Sequence, residues 1–224
     1  PRMEAALAAA TGRDVVIAGE LSVRTVPALA LRAGDVRIGN HAGGAAQNLV
    51  TMDRFDAVIA LFPLFGGDLK IRRIELLSPI VALERSPDGR ENWRLPMFMP
   101  PEAKPKKAGR DFDRFSLDDL RIKNGDVSYR DFQSNRAFDL NEITIALEVR
   151  SLAGPYRLKM AARSGDIHLD LELKTDRFAA DQRTPLSVRL ALDTARLGLS
   201  GWIMQKATPS ANNTAPNATA LSLT

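Results

Sequence analysis

The chain contains no cysteine and only two histidines, and aromatic residues make up 6% of its 224 positions. Without cysteine it can form no disulfide, no thiolate metal site and no cysteine nucleophile. The histidines, His41 and His168, have no carboxylate at a spacing typical of a metal site or a catalytic triad. We therefore predict that both are ordinary surface residues.

Motifs for cofactors and catalysis are also missing. The sequence has no Walker loop, no dinucleotide fingerprint and no nucleophile elbow. Its densest carboxylate cluster, Asp111–Asp119, places Phe115 and Ser116 where a calcium loop needs an oxygen ligand and glycine. A hydrolase built on these carboxylates would need further polar partners, which the sequence does not offer. We expect no enzymatic activity, no cofactor and no metal.

The charge is mildly basic, with a formal net charge of +4 and a pI near 9.6. Basic residues are scattered along the chain, apart from the group Lys104, Lys106 and Lys107. A nucleic-acid footprint is denser and carries aromatic stacking residues, so we expect no nucleic-acid partner. An anionic membrane surface is a second interpretation of this charge, and an ordinary solvated surface is the favoured one.

No apolar run is long enough to cross a bilayer. The longest, Ala57–Gly67, is interrupted by Pro63 and falls well short of about 20 residues. The chain begins at Pro1 and not at methionine, from which we expect that an upstream segment has been removed.

What the chain does have is a period of two. Apolar residues alternate with polar ones in segment after segment, and glycine, proline and asparagine punctuate them. The alternation predicts antiparallel strands with one apolar and one polar face. A change of phase at Gly34–Asp35 predicts a bulge or tight turn. Helix formers predict a short helix over Arg2–Ala10, and Leu49–Asp53 reads as a helical turn.

The punctuation divides the chain into four segments. Residues 1–95 form a first β block with the leading helix, and residues 96–110 a loop rich in proline and lysine. Residues 111–203 form a second antiparallel β block. Residues 204–224, which are rich in Asn, Ala, Thr and Ser, predict a disordered or truncated tail.

The stretch "GRDVVIAGEL" from Gly12, followed in order by the stretches quoted below, resembles the N-terminal domain of the AsmA family. The resemblance covers roughly Thr11 to Trp202, and "DGRENW" at Asp88–Trp93 is similar to the closure of that family's N-terminal domain. The other matching stretches are "DVRIGN" from Asp35, "ALFPLFGGDLKIRRIELLSPIVALER" from Ala60, "LDDLRIKNGDVSYRDFQSNRAFDLNEITIALEV" from Leu117 and "LAGPYRLKMAARSGDIHLDLELKTD" from Leu152.

The resemblance implies an envelope protein of Gram-negative bacteria. Its relatives include TamB-like and YhdP-like proteins, which are similar to bridge-like lipid transfer proteins. The implied fold is mainly β: a curved antiparallel sheet forming a taco-like groove, with the short N-terminal helix and minor helical turns. The implied function is phospholipid transport and outer-membrane biogenesis on the periplasmic side of the inner membrane. The implied partners are phospholipid acyl chains, the inner membrane through a helix absent from this chain, and an outer-membrane or periplasmic protein.

Eleven side chains are the candidates for the apolar wall of such a groove. They are Ile122, Val127, Tyr129, Ile145, Leu147, Leu158, Met160, Leu169, Leu171, Val188 and Leu190. From sequence, a closed core and a lipid-accessible wall remain open alternatives for this face. Asn92 and Trp93 are predicted to close the first block structurally. A different function, assembly of outer-membrane proteins through exposed sheet edges, is the alternative.

Overall fold

A computed structural model describes residues 2–96, 115–151, 153–178, 182–204 and 220–223. Within these residues, thirteen strands form a single sheet accompanied by two short helices, which confirms the mainly β prediction. The elements in chain order are α1 (Arg2–Thr11), β1 (Val15–Ile17), β2 (Leu21–Arg24), β3 (Leu29–Gly39), β4 (Asn48–Ile59), α2 (Leu61–Phe65), β5 (Leu69–Leu77), β6 (Ile80–Arg85), β7 (Phe115–Asp131), β8 (Arg136–Val149), β9 (Tyr156–Ser164), β10 (Ile167–Thr175), β11 (Arg183–Leu192), β12 (Ala195–Met204) and β13 (Ala220–Leu223).

The sheet is mixed, although an antiparallel one was predicted. Its order is β1-β3-β4-β5-β7-β8-β9-β10-β11-β12-β13, with β2 beside β3, and β6 beside β4 and β7. The long strand β7 runs parallel to β5 with its first half and parallel to β6 with its second half. All other pairs are antiparallel. The cause is the long connection after β6, which brings the chain back to the end of the sheet where β5 starts, so β7 enters in the same direction.

The predicted change of phase in β3 is confirmed. Ala33 and Val36, three residues apart, both lie in the buried core cluster with Met52. Asp35 between them adopts a positive φ of 45°, which turns the alternation by one residue. The helical turn predicted at Leu49–Asp53 is wrong, because these residues belong to β4, where pairing with β3 decides the local structure.

The two predicted blocks share one sheet, because β7 joins both β5 and β6. Most of the predicted loop at 96–110 and most of the predicted tail at 204–224 lie outside the described residues, as do Lys104, Lys106, Lys107, Asp111 and Asp113. Within the tail, β13 pairs with Gly201–Met204. Neither of the two described helices is long and apolar enough to cross a membrane.

Candidate functional site

One face of the sheet carries two continuous rows of apolar side chains. Residues that pair across neighbouring strands share a face, so the registers of the strand pairs define rows that run across the sheet. The first row crosses ten strands and is apolar at every position. It contains Leu21, Ala33, Phe55, Leu76, Ile122, Ile145, Met160, Leu171, Leu190 and Leu197.

A second row lies two residues further along each strand and is also apolar throughout. It contains Val23, Leu31, Ala57, Ile74, Leu120, Leu147, Leu158, Leu173, Val188 and Leu199. The face that carries both rows is called the apolar groove below. Its two rows hold eight of the eleven predicted wall residues. The other three share the face: Val127 pairs with Val81 and Leu140, Tyr129 with Leu83 and Phe138, and Leu169 with Leu192 and Ala162.

The opposite face is charged. Between the two apolar rows, the alternate positions of the same strands include Arg32, Asp56, Glu75, Arg121, Lys159, Glu172 and Arg189. Neighbouring charges on this face form ion pairs. Arg32 and Arg54 both bind Asp56, at 2.6 and 2.8 Å, and Arg189 binds Glu172 at 2.9 Å. Hydrogen bonds from Lys174 and Arg189 hold the pKa of Glu172 below its usual value. This charged face is therefore the side of the sheet that faces solvent.

All eleven predicted wall residues are half-buried, and none of them is fully buried. In a closed sandwich a second layer would cover such side chains, whereas all the described strands belong to one sheet. At the two ends of the first row, Leu21 and Leu197 expose 44% and 54% of their surface. The described part of the chain therefore leaves much of the apolar face open, although a closed core was the other alternative from sequence.

The sheet curls at its N-terminal half and encloses a cavity. Val15 on β1 and Met160 on β9 are six strand spacings apart, about 29 Å in a flat sheet. Both nevertheless line one cavity of about 590 Å³, whose exposed surface is entirely apolar. Leu7 of α1 and Leu95 contribute to the lining from outside the sheet. The predicted curvature is therefore present in this half.

Four of the predicted wall residues line this cavity, namely Ile122, Val127, Ile145 and Met160. The other seven lie on the same face outside it. Further cavity residues were missed from sequence because the prediction placed the wall in the second block alone. They come from β3, β4 and β5, and include Val36, Met52, Phe55 and Leu76. The same period-two alternation in the first block was the signal that could have found them.

Asn92, for which a structural closing role was predicted, lies at the corner that ends the first block. Its side chain is fully buried, with 0% of its surface exposed. Nδ2 donates hydrogen bonds to the Ala82 carbonyl at 2.7 Å and to Asn40 Oδ1 at 3.2 Å. Its carbonyl oxygen accepts a hydrogen bond from Nη2 of Arg13 at 3.1 Å. Asn92 thus ties β6, the loop after β3 and the segment before β1 together.

A buried carboxylate supports the same corner. Glu84, 4% exposed, accepts hydrogen bonds from the backbone N–H groups of Ala45 and Ala46 at 2.9 and 2.6 Å. It also accepts one from Nδ2 of Asn40 at 3.0 Å. Because these donors satisfy the carboxylate, it stabilises the loop 40–47 between β3 and β4.

Trp93 packs on the apolar face beside this corner. Its ring lies 5.9 Å from that of Tyr129, which in turn stacks on Phe138 at 5.0 Å. Tyr129, a predicted wall residue, is therefore part of an aromatic cluster.

The polar side chains considered from sequence do not converge on a site. Asp119 binds Arg73 and Arg121 at 3.2 and 3.0 Å on the charged face. His168 is exposed beside Arg163, whereas His41 is half-buried against the Ala42 carbonyl. Within the described residues, no group of His, Cys, Asp and Glu could hold a metal ion.

The profile of the AsmA family matches residues 1–220, which is nearly the whole chain. No curated protein matches it. The match extends over α1, both apolar rows and the corner at Asn92, and it agrees with the resemblance of the quoted stretches. The chain belongs to the AsmA family.

Proposed function

We propose that the apolar groove carries phospholipid acyl chains, and that the chain takes part in phospholipid transport for outer-membrane biogenesis. The observation that carries the proposal is the pair of apolar rows that cross ten strands and stay at least partly exposed at every position except Ala33 and Ala57. Membership of the AsmA family is consistent with an envelope-related function. We place the protein on the periplasmic side of the inner membrane, with an inner-membrane helix upstream of the present chain.

The energy of such a groove suits transport. Burying a methylene group is worth about 0.8 kcal/mol, so an acyl chain of about sixteen carbons gains on the order of 10 kcal/mol. This roughly offsets the loss of the bilayer environment. A lipid held at near-neutral free energy can enter and leave, whereas a tightly held one would stay.

The two faces of the sheet have different roles in this proposal. Aliphatic side chains such as Leu158 and Leu171 contact any acyl chain without selecting its pattern of polar groups. The ion-paired face, with Arg189 on Glu172 and Arg32 on Asp56, stays in water. Headgroups would remain at the open side of the groove, since the cavity surface offers them no polar group.

We also propose that the protein is not an enzyme. In the acidic cluster, Asp119 forms ion pairs with two arginines and faces away from the groove. Transport along a groove needs no covalent step, so the chemistry asks for no cofactor.

The structure offers one feature that favours the second candidate, strand addition to an outer-membrane protein. In the described part of the chain, β13 pairs with only Gly201–Met204 of β12. The stretch 195–199 of the same strand therefore presents a backbone edge on which another strand can pair. An assembly factor of this kind would bind an extended peptide through that edge and would carry no lipid.

The test is extraction of lipid from the purified chain followed by mass spectrometry. Ile145→Glu and Leu171→Glu each place a carboxylate on the apolar wall. Ala146→Glu is the matched control, because Ala146 pairs with Lys159 and Arg121 on the charged face. We expect the native chain and the control to carry phospholipid, and the two wall variants to lose it.

Circular dichroism separates loss of lipid from loss of structure. Wall variants that keep the sheet and lose the lipid support the groove. A native chain without lipid, or a control that loses it equally, contradicts the groove. If the chain instead binds an extended peptide, and a proline at Leu197 abolishes that binding, strand addition is the better account.

A further inference from the structure

Val26 and Phe62 are the two most exposed large apolar side chains among the described residues. They expose 82% and 80% of their surface. Val26 lies in the turn between β2 and β3, and Phe62 lies in α2, directly after β4. Such exposure costs free energy in water, so a partner is expected.

The two side chains project from the same end of the sheet. Leu29 pairs with Ile59, on strands β3 and β4. Val26 lies three residues before Leu29, and Phe62 lies three residues after Ile59. Because neighbouring strands are about 4.8 Å apart, both segments extend beyond the same end side by side. The segments 25–28 and 61–67 are called the apolar tip below.

Basic residues are spread along the end of the sheet that carries the apolar tip. At this end of the sheet the described loops and strand termini carry Arg24, Lys70, Arg72, Arg150, Arg177 and Arg183. The described acidic residues there are Asp68, Asp118, Glu148 and Asp176. Basic residues therefore outnumber acidic ones at this end, and all of the basic residues named except Lys70 are exposed.

The opposite end of the sheet has a different character. Two of its arginines bind nearby carboxylates: Arg90 binds Asp88 at 2.6 Å, and Arg130 binds Asp139 at 2.8 Å. Phe132, in the hairpin between β7 and β8, is only 49% exposed. The basic excess and the most exposed apolar side chains thus coincide at one end alone.

We propose that the end of the sheet carrying the apolar tip docks on the surface of an anionic lipid bilayer. Val26 and Phe62 enter the interfacial layer, where their apolar surface leaves water. The exposed side chains of Arg24 and Arg72 face the lipid headgroups, each adding to the attraction by an amount that salt weakens.

Docking in this orientation would present the groove to the bilayer. Leu29 and Ile59 lie on the apolar face two residues beyond Leu31 and Ala57 of the second row, and immediately before the tip. An acyl chain that leaves the bilayer at this end meets the apolar rows directly. This consequence rests on the proposed function, whereas the docking itself rests on the tip and its charges.

The test is flotation of the full chain with vesicles. Vesicles of phosphatidylglycerol and phosphatidylcholine are compared with vesicles of phosphatidylcholine alone. We expect binding to the anionic vesicles, weaker binding in high salt, and little binding to the neutral ones. Phe62→Ser should lower the affinity about tenfold or more, because a large apolar side chain no longer enters the interface. Arg24→Ser and Arg72→Ser should each lower it about fivefold.

Phe132→Ser is the matched control, since it removes an exposed phenylalanine at the opposite end. It should leave vesicle binding unchanged. Equal losses in Phe132→Ser and Phe62→Ser, or unchanged binding in Phe62→Ser, would overturn the proposal. So would equal binding to neutral and anionic vesicles.

Lipid extraction from the same preparations keeps the two proposals apart. Lipid in the groove without binding through the tip refutes the docking alone. Binding through the tip by a chain that carries no lipid refutes the groove alone.

Discussion

Asn92 is joined to Glu84 by two hydrogen bonds in opposite directions. The backbone N–H of Asn92 donates to the Glu84 carbonyl at 3.0 Å, and the Glu84 N–H donates to Asn92 Oδ1 at 2.9 Å. The amide side chain therefore imitates a paired strand beside β6. This explains why an asparagine closes the first block: its amide group offers both an acceptor and a donor in place of a neighbouring backbone.

Asn92→Ala should lower the free energy of unfolding by about 2–4 kcal/mol, because it leaves the Glu84 N–H and the Ala82 carbonyl without their partners. Urea denaturation followed by circular dichroism measures the change. Gln133→Ala, in an exposed turn, is the control and should change stability by less than about 0.5 kcal/mol. An equal effect of the two substitutions would contradict the role assigned to Asn92.

Gly19→Ala should also be destabilising. A Cβ atom at position 19 would lie 2.6 Å from the carbonyl carbon of Gly34, a backbone atom that cannot rotate away. We expect a loss of about 1–3 kcal/mol, the usual cost of overpacking. Gly198→Ala is the matched control, since a Cβ atom there meets nothing within 4 Å. If both substitutions are tolerated alike, the two glycines do not approach as closely as described.

Acid should weaken the corner beside Asn92. Hydrogen bonds from Arg85 and Arg94 hold the pKa of Glu91 below its ordinary value of 4.5. A carboxyl group whose pKa is lower in the folded state stabilises fully above its unfolded pKa, and this stabilisation is lost as the pH falls through the folded pKa. Stability should therefore decline below about pH 4.5.

The urea midpoint of Glu91→Gln, measured against pH, checks this. The variant should lose stability less steeply than the native chain below pH 4.5. The decline of stability with falling pH should not vanish, because other carboxyl groups contribute to it. A hydrogen bond from Ser134 lowers the pKa of Asp131, and one from Lys174 lowers the pKa of Glu172. An unchanged slope in the variant would show that Glu91 makes no such contribution.

The two tryptophans of the chain offer an optical test of the groove. Trp93 lies on Tyr129 at the apolar face, close to the cavity residue Leu95. Trp202 alternates with Gly201 and lies on the other face, where the Arg183 guanidinium sits 4.3 Å from its ring. Lipids brominated in their acyl chains should quench Trp93 in the Trp202→Phe variant. They should leave Trp202 bright in the Trp93→Phe variant, and quenching of both alike would refute binding within the groove.

Much of the fold could be predicted because local alternation fixes which side chains share a face. The eleven wall residues share one face for this reason, and the phase change at Gly34–Asp35 could be read directly from the sequence. The parallel pairing of β7 could not be predicted in the same way. It depends on a long connection whose return point is set by tertiary packing, and not by any local pattern.

The candidate site was predicted in part for a related reason. A period of two shows that Ile145 and Leu171 face one side, but it does not show what lies opposite them. Their half-burial follows from a sheet without a second layer in the described part of the chain, and the cavity follows from curvature. Both are properties of the whole sheet, so neither is written in any single segment. The exposure of Val26 and Phe62 likewise depends on where two turns meet.

The two apolar rows also relate the length of the groove to the number of strands in the sheet. Each strand contributes one side chain to each row, so every added strand extends both rows by one strand spacing, about 4.8 Å. The ten strands from β2 to β12 that carry the rows span about 43 Å along the sheet. A hairpin duplicated in register would lengthen this path by about 10 Å without redesign of the existing wall. Neighbouring strands meet through the same two contacts, one in each row. The number of strands in the sheet therefore sets the distance that the groove can span.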